Sequence, residues 1–202
     1  MLKVEKIVGK VLTSNMYTIQ EVGTTNYWIV DIGDTQELCR HLPKDANIKG
    51  LFLTHGHFDH IAGINEFHQK FPHSKIYTTQ YGVEQLYSDK KNFSIYHEAS
   101  TVFTGDKDCI VVLHDQDTIS LGSQNNILNI VATPGHCPSC VTFYTKEFIF
   151  TGDSYIPGAQ VVTKLPRGNR IMAEESLRKI DILCKNRVTC AGHDIDKWVT
   201  LF

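Results

Sequence analysis

The stretch Thr54-His55-Gly56-His57-Phe58-Asp59-His60 places three histidines and one aspartate within seven residues. His55 and His57 are two residues apart, so on an extended segment their side chains point the same way and can share one metal ion. Asp59 and His60 follow where the chain is expected to turn into a helix, which directs them towards a neighbouring position. One short motif can therefore serve two adjacent cations.

Three further histidine or aspartate residues occur in similar surroundings: His136, Asp153 and His193. Like the 54–60 stretch, each follows an apolar run and has a glycine beside it, which allows a sharp turn or a close approach to a bound group. Strand ends that meet at one sheet edge would gather these side chains into one site. Imidazole and carboxylate are ligands that suit zinc when no thiolate is present, and they also suit iron or manganese. The pattern predicts a hydrolytic site with two metal ions.

The composition indicates a globular chain, and we expect residues 1–202 to form a single domain. A formal net charge of −2 provides no broad basic field, so no nucleic-acid partner is expected. The sequence shows neither a secretory signal nor a run that could span a bilayer, so no membrane association is expected. The six cysteines are interpreted as mostly reduced thiols of a cytoplasmic protein.

Apolar, β-branched runs bounded by Gly, Asn or Asp predict strands over residues 10–19, 26–32, 50–54, 75–78, 109–113, 127–133, 141–144, 148–151 and 188–191. Apolar residues at near-helical spacing predict helices over residues 59–71, 80–91 and 173–183. Many strands with helices between them indicate sheets that are covered by helices.

Four more motifs complete a family pattern: Y-W-I-V-D-I-G-D at 27–34, T-P-G-H-C-P-S-C at 133–140, F-T-G-D at 150–153 and L-P-R-G at 165–168. With the 54–60 stretch and Gly192-His193, they resemble the metallo-β-lactamase-fold superfamily, most closely its glyoxalase II-like (hydroxyacylglutathione hydrolase) branch. The resemblance extends over most of the chain. It implies an α+β fold, an αββα sandwich of two mixed β-sheets flanked by helices.

The resemblance also implies a cofactor of two divalent metal ions, zinc first, with iron or manganese as alternatives. One ion would be held by His55, His57 and His136, the other by Asp59, His60 and His193, with Asp153 bridging both. Metal-bound hydroxide would attack the carbonyl of a thioester or related ester. Asp59 is the candidate catalytic residue, because it would also orient or deprotonate the nucleophile.

Several functions share these ligands and stay open as alternatives. They are a lactonase, a sulfur dioxygenase that would use a single iron, and a phosphodiesterase or RNA-processing nuclease with the same H-x-H-x-D-H motif. True β-lactamases of this fold generally have a cysteine or no bridging carboxylate in the place of Asp153, so antibiotic hydrolysis is not expected. The sequence ends at Phe202, ten residues after Gly192, so we expect a short thioesterase without the glutathione-binding helical domain of full-length glyoxalase II.

Candidate substrate-binding residues follow the Asp153 motif. Lys164 and Arg167 could grip an anionic small-molecule substrate, with solvated surface charge as an equally weighted alternative. Tyr155 is a candidate hydrogen-bond donor to a substrate carbonyl, although a packed aromatic is the favoured interpretation. Asp31 is a candidate support for the ligands, and an ordinary Asp-Gly turn explains it nearly as well.

The remaining chemistry-bearing residues have weaker patterns. Cys137 and Cys140 read C-P-S-C, either a redox pair or thiolate ligand or, as we favour, two small packing residues. The histidines without ligand spacing are assigned to the surface or to ordinary packing: His41, His68, His73, His97 and His114.

Overall fold

The computed structural model describes residues 1–97, 100–123 and 125–198. Its strands are β1 (Leu2–Val8), β2 (Asn15–Glu21), β3 (Asn26–Val30), β4 (Asn47–Phe52), β5 (Lys75–Thr78), β6 (Ile110–Val112), β7 (Thr118–Ser120), β8 (Ile127–Ala132), β9 (Val141–Tyr144), β10 (Phe148–Gly152) and β11 (Val188–Ala191). Its α-helices are α1 (Thr35–His41), α2 (Phe58–Ile61), α3 (Ile64–Lys70), α4 (Gln80–Leu86), α5 (Arg170–Cys184) and α6 (Ile195–Trp198).

The strands form two mixed sheets. The first has the order β1-β2-β3-β4-β5-β6, antiparallel as far as β3 and parallel from β3 to β6. The second has the order β11-β10-β9-β8-β7, in which only β10 and β11 are parallel. Two mixed sheets with flanking helices confirm the predicted αββα sandwich.

Alternating side chains of β3 show how the layers are joined. Trp28 and Val30 belong to the apolar layer between the two sheets, together with Phe143 and Phe150 of the second sheet. Tyr27 and Ile29 belong to the layer between the first sheet and its helices. A strand whose successive side chains face opposite ways can serve two cores at once only when both faces are covered.

Helices cover both outer faces of the sandwich. Leu38 of α1, Phe67 of α3 and Leu86 of α4 are fully buried in the layer against the first sheet. On the other side, α5 packs against β10, and Ser176 donates a hydrogen bond from Oγ to the carbonyl oxygen of Pro134 at 2.7 Å. No helix among the described residues is long and apolar enough to cross a bilayer.

Residues 59–71, predicted to form one helix, form two helices instead, α2 and α3. The backbone N–H of Gly63 donates to the carbonyl oxygen of Ile32 at 2.8 Å, and the carbonyl oxygen of Gly63 accepts from Thr35 Oγ1 at 2.7 Å. A side chain at Gly63 would collide with the Thr35 backbone. The close crossing with the start of α1 therefore interrupts the helix.

Other boundaries also differ from the predictions. The strand expected over 10–19 begins only at Asn15, because Leu12 and Thr13 have left-handed backbones with φ of 45° and 55°. The helix expected over 80–91 ends at Leu86. The sequence analysis did not identify β1, β7, α1 or α6.

Phe52 provides a test of the layer between the sheets. It is fully buried, with its ring centroid 4.7 Å from that of Tyr77 and 5.5 Å from that of Phe143. We expect Phe52→Ala to lower the free energy of unfolding by about 3–5 kcal/mol, the usual cost of emptying a buried aromatic site. Chemical denaturation measures the change.

Val22→Ala, at a half-exposed position, is the control and should stay within about 0.5 kcal/mol of the parent. A loss below about 1 kcal/mol for Phe52→Ala would contradict the packing described.

Candidate metal centre

Four loops at the ends of strands carry the seven predicted ligands. The 54–60 stretch follows β4, His136 follows β8, Asp153 follows β10, and His193 follows β11. All seven side chains are buried or nearly so. Their ligand atoms form three overlapping groups in which every atom lies within 4.8 Å of the others: His55, His57 and His136; His55, His60 and Asp153; and Asp59, His60 and His193.

The spacing between the ligand atoms suits coordination of a cation. His57 Nδ1 lies 2.8 Å from His136 Nε2, and His60 Nε2 lies 3.3 Å from His193 Nε2. Asp59 Oδ2 is 3.1 Å from His193 Nε2. Two ligand atoms that each lie about 2.1 Å from a tetrahedral zinc ion are about 3.4 Å apart. The distances from His193 Nε2 to His60 Nε2 and to Asp59 Oδ2 are close to that value, whereas the His57–His136 pair would have to separate slightly to hold an ion.

Asp153 stands between the two outer groups. Its Oδ1 lies 3.4 Å from His60 Nε2, and its Oδ2 lies 3.5 Å from His136 Nε2. Burial alone would raise the pKa of this carboxyl, but the imidazoles of His60, His193 and His136 hold the pKa well below its usual range. The ionised carboxylate thus has one oxygen towards each group, as a bridging ligand requires.

Hydrogen bonds on the far side of the rings orient the histidines. His136 Nδ1 lies 2.8 Å from the carbonyl oxygen of Val162, which can only accept, so Nδ1 must carry the proton. His60 Nδ1 lies 2.9 Å from Asp31 Oδ2, and the same reasoning applies. In the neutral imidazole of His136, Nε2 then presents its lone pair to the cluster. Although burial opposes it, the carboxylates of Asp59 and Asp153 hold the pKa of His60 well above its ordinary value, so a cation would replace the proton on its Nε2.

His55 shows most directly that these side chains fit a cation. Its Nδ1 lies 3.2 Å from Thr54 Oγ1, whose own proton is directed to Asp31 Oδ2 at 2.7 Å. This leaves the lone pair at His55 Nε2, which is buried and has no hydrogen-bond partner among the described residues. Burial lowers the pKa of His55 well below its ordinary value, and the neighbouring imidazoles lower it further. A buried neutral nitrogen directed at the cluster matches a metal ligand.

Asp31 supports both the 54–60 loop and the ring of His60. Its Oδ1 accepts a hydrogen bond from the backbone N–H of Thr54 at 2.8 Å, while its Oδ2 accepts from Thr54 Oγ1 and faces His60. The residue is buried and has a left-handed backbone, with φ of 58°. Asp31 therefore does more than form a turn, since it orients both the loop and one ligand.

Gly192 is required by close approach. A Cβ at this position would lie 2.2 Å from Asp153 Oδ1 and 2.9 Å from both the Gly152 carbonyl carbon and His60 Cε1. Any side chain would displace the carboxylate between the two groups. This contact gives a physical reason for the glycine that precedes His193.

A cavity of about 470 Å³ opens onto the cluster. Five of the predicted ligands line it: His57, Asp59, His136, Asp153 and His193. Its other walls are mainly apolar or aromatic, formed by Leu12, Phe58, Phe93, Tyr96, Leu165 and Pro166. The sequence analysis missed these walls because isolated apolar residues in loops have no periodic pattern. His97, predicted to lie at the surface or in ordinary packing, is an exposed ring that stacks on Phe58 at 4.0 Å, and it also lines the cavity.

The three predicted substrate-binding residues lie outside the described lining of this cavity. Tyr155 follows the Asp153 loop, where its backbone carbonyl accepts a hydrogen bond from Thr151 Oγ1 at 2.7 Å. Lys164 is exposed. Arg167 lines a smaller adjoining cavity of about 100 Å³, with its guanidinium 5.6 Å from the ring centroid of Tyr81. Their role in binding substrate stays a prediction.

The two cysteines of the C-P-S-C motif lie in the loop that carries His136. Both are buried, and their Sγ atoms are 3.3 Å apart. Cys137 Sγ is also 3.1 Å from Ser139 Oγ. Burial of both thiols agrees with the favoured packing interpretation, and the proximity of the sulfur atoms is equally compatible with a redox pair.

Comparisons with known proteins agree with this architecture. A sequence model of the Metallo-beta-lactamase superfamily matches residues 9–193. The crystal structure of the BLEG-1 B3 metallo-beta-lactamase has a TM-score of 0.83 at 21% identity, covering 95% of this chain and 91% of that one. TTHA1623 in a di-iron-bound form has a TM-score of 0.78 at 19% identity, covering 94% and 91%. ETHE1 from Myxococcus xanthus has a TM-score of 0.71 at 18% identity, covering 95% and 76%.

At these identities the solved structures show a common fold, and the family match covers most of the chain, including the segments that carry the seven clustered side chains. The fold is that of metal-dependent hydrolases, and the His/Asp cluster is in place for metal binding. The chain belongs to the metallo-beta-lactamase superfamily.

Proposed function

We propose that this chain is a dinuclear metal-dependent hydrolase that cleaves a thioester or a related carbonyl ester, as in the glyoxalase II-like branch. The observation that carries the proposal is the pair of three-residue groups, His55/His57/His136 and Asp59/His60/His193, with Asp153 between them. Zinc is the proposed metal because imidazole and carboxylate form the whole ligand set. Iron and manganese accept the same ligands.

The ligand groups would bind the metal ions, and Asp59 would in addition accept a proton. When bound, divalent ions at such a site lower the pKa of water and polarise a substrate carbonyl. Asp59 lines the cavity, and His60 and His193 hold its pKa below the ordinary value although burial alone would raise that pKa. Asp59 is therefore ionised, and because its Oδ2 faces His193 Nε2 at 3.1 Å, its other carboxylate oxygen is the one that can accept a proton. The buried ligands around it exclude bulk water from that side.

Two observations bear on the choice between a dinuclear hydrolase and the alternative functions. The second three-residue group favours a dinuclear hydrolase over a sulfur dioxygenase with one iron, which would leave Asp59, His60 and His193 without a metal. No lysine or arginine occurs among the described residues that line the main cavity, which counts against a phosphodiesterase or nuclease acting on a polyanion. A lactonase would use the same groups and is the runner-up.

Arg167 is the proposed contact for an anionic part of the substrate. It lines the smaller cavity together with Lys90 and Lys91, and this cavity shares His57, Phe93 and Pro166 with the main one. A guanidinium at the edge of the metal centre can bind a carboxylate or phosphate group. Lys164 and Tyr155 would act further from the reacting atoms.

A substrate panel tests the proposed function. We expect the metal-loaded protein to hydrolyse acyl thioesters, to act less well on acyl-homoserine lactones, and to leave phosphodiesters and β-lactams intact. Asp59→Asn should lower kcat for the thioester about 100-fold or more, because the proton acceptor is lost. Initial rates measure both results.

Chelation and substrate charge provide the controls for this panel. Exhaustive chelation should remove thioester turnover, and added zinc should restore it. Arg167→Ala should raise KM for a glutathione thioester more than for a neutral N-acetylcysteamine thioester of the same acyl group. Preferential turnover of lactones, phosphodiesters or β-lactams would overturn the thioesterase assignment.

Asp31→Asn tests the support of His60. Asparagine tolerates the left-handed backbone and still accepts from the Thr54 N–H, but its amide would donate towards His60 Nδ1. Nδ1 would then be the acceptor, and the proton on Nε2 would block metal binding. The same amide could no longer accept from Thr54 Oγ1, which fixes the tautomer of His55. We therefore expect metal affinity to fall about 10- to 100-fold, measured by competition with a chromophoric chelator.

Asp34→Asn is the matched control for this substitution. Asp34 caps α1 by accepting from the Glu37 N–H at 2.9 Å, and asparagine is an equally good cap. Metal affinity should therefore be that of the parent chain. Equal losses in the two variants, or no loss in Asp31→Asn, would show that Asp31 does not control the ligand.

A further inference from the structure

We infer that the main cavity binds the acyl group of the substrate and that this group is an uncharged, apolar chain. The inference rests on the proposed function and adds the substrate class to it. Apart from the candidate metal ligands, the lining is mainly apolar or aromatic, with Asn92 and His97 as its polar members and Leu12, Phe58, Phe93, Tyr96, Leu165 and Pro166 as the rest. A volume of about 470 Å³ is within the range of small-molecule sites in proteins.

The cavity lies beside the candidate metal ligands, and this position indicates which part of the substrate it would hold. Asp59, His136, Asp153 and His193 line it, so a carbonyl held at the cluster places one arm of its substrate against these apolar walls. The smaller cavity meets the main one at His57, Phe93 and Pro166 and contains Lys90 and Arg167. A thioester with a charged thiol therefore fits with the thiol towards the basic cavity and the acyl chain in the apolar one.

Phe93 lies where the two cavities meet and is the residue expected to determine specificity for the acyl chain. Its ring lies 4.9 Å from the His57 ring, centroid to centroid, and it lines both cavities. Its backbone is left-handed, with φ of 69°, a conformation that favours glycine or asparagine. Leu12, which also lines the main cavity, has φ of 45°. Two bulky apolar side chains that line the cavity are thus held on strained backbones, as expected for residues that shape a site.

The test is the dependence of kcat/KM on acyl length, with N-acetylcysteamine thioesters from acetyl to hexanoyl. We expect a rise of about fourfold per methylene, the factor that corresponds to transferring a methylene from water to an apolar wall. Phe93→Gly, which suits the left-handed backbone, and Leu165→Ala should flatten this rise. Ile95→Ala changes an exposed neighbour outside the described lining and should keep the parent slope.

Binding provides a readout that does not require turnover. Calorimetry with methyl ketones of increasing chain length, which cannot be hydrolysed, should give a Kd that falls by a similar factor per methylene in the parent chain and stays flat in Phe93→Gly. Tighter binding of longer ketones without thioester turnover would support this inference while the proposed function fails.

Three results would overturn the inference. The first is thioester turnover with a slope that is flat or falls with acyl length. The second is an unchanged slope in both Phe93→Gly and Leu165→Ala. The third is an equal rise when the thiol of an acetyl thioester is lengthened instead, which would place the leaving group in the cavity.

Discussion

The site depends on buried imidazole nitrogens and carboxylate oxygens gathered around one point. His55 Nε2 has no hydrogen-bond partner among the described residues, and the hydrogen bond between His57 Nδ1 and His136 Nε2 at 2.8 Å satisfies both nitrogens only while they share a proton. Burying polar groups without partners costs free energy, and a cation removes that cost by accepting several lone pairs at once. Metal binding and the stability of these loops are therefore coupled, and the hydrogen bonds of Asp31 and Val162 on the far side of the rings prepare the geometry.

The sandwich positions these groups through its strand ends. β4, β8, β10 and β11 lie in two different sheets, yet each is followed by a ligand loop at the same edge. Rigid strands on both sides of an apolar layer hold the loops at fixed separations. The candidate ligands can therefore meet only where no side chain intervenes, as at Gly192. The chemistry is thus located in the loops, and the packing of the sheets determines its precision.

The sequence was sufficient to predict the fold class and the clustering of the seven candidate ligands, because apolar runs that end in glycine and histidine have strong local patterns. It did not predict β1 or α1, and it missed the break at Gly63, which results from a contact with Thr35 far away in the chain. The cavity walls were also missed. Phe93 and Leu12 adopt backbones that their residue types disfavour, so only the assembled structure shows that they face the site. The substrate roles of Tyr155, Lys164 and Arg167 stay predictions.

The central claim is that two ions occupy the clustered histidines and aspartates. Elemental analysis of the purified protein, combined with anomalous scattering from its crystals, tests the claim most directly. The account predicts about two divalent ions per chain, one beside His55, His57 and His136 and one beside Asp59, His60 and His193. A single ion at full occupancy, or a fully active protein without any metal, would contradict it.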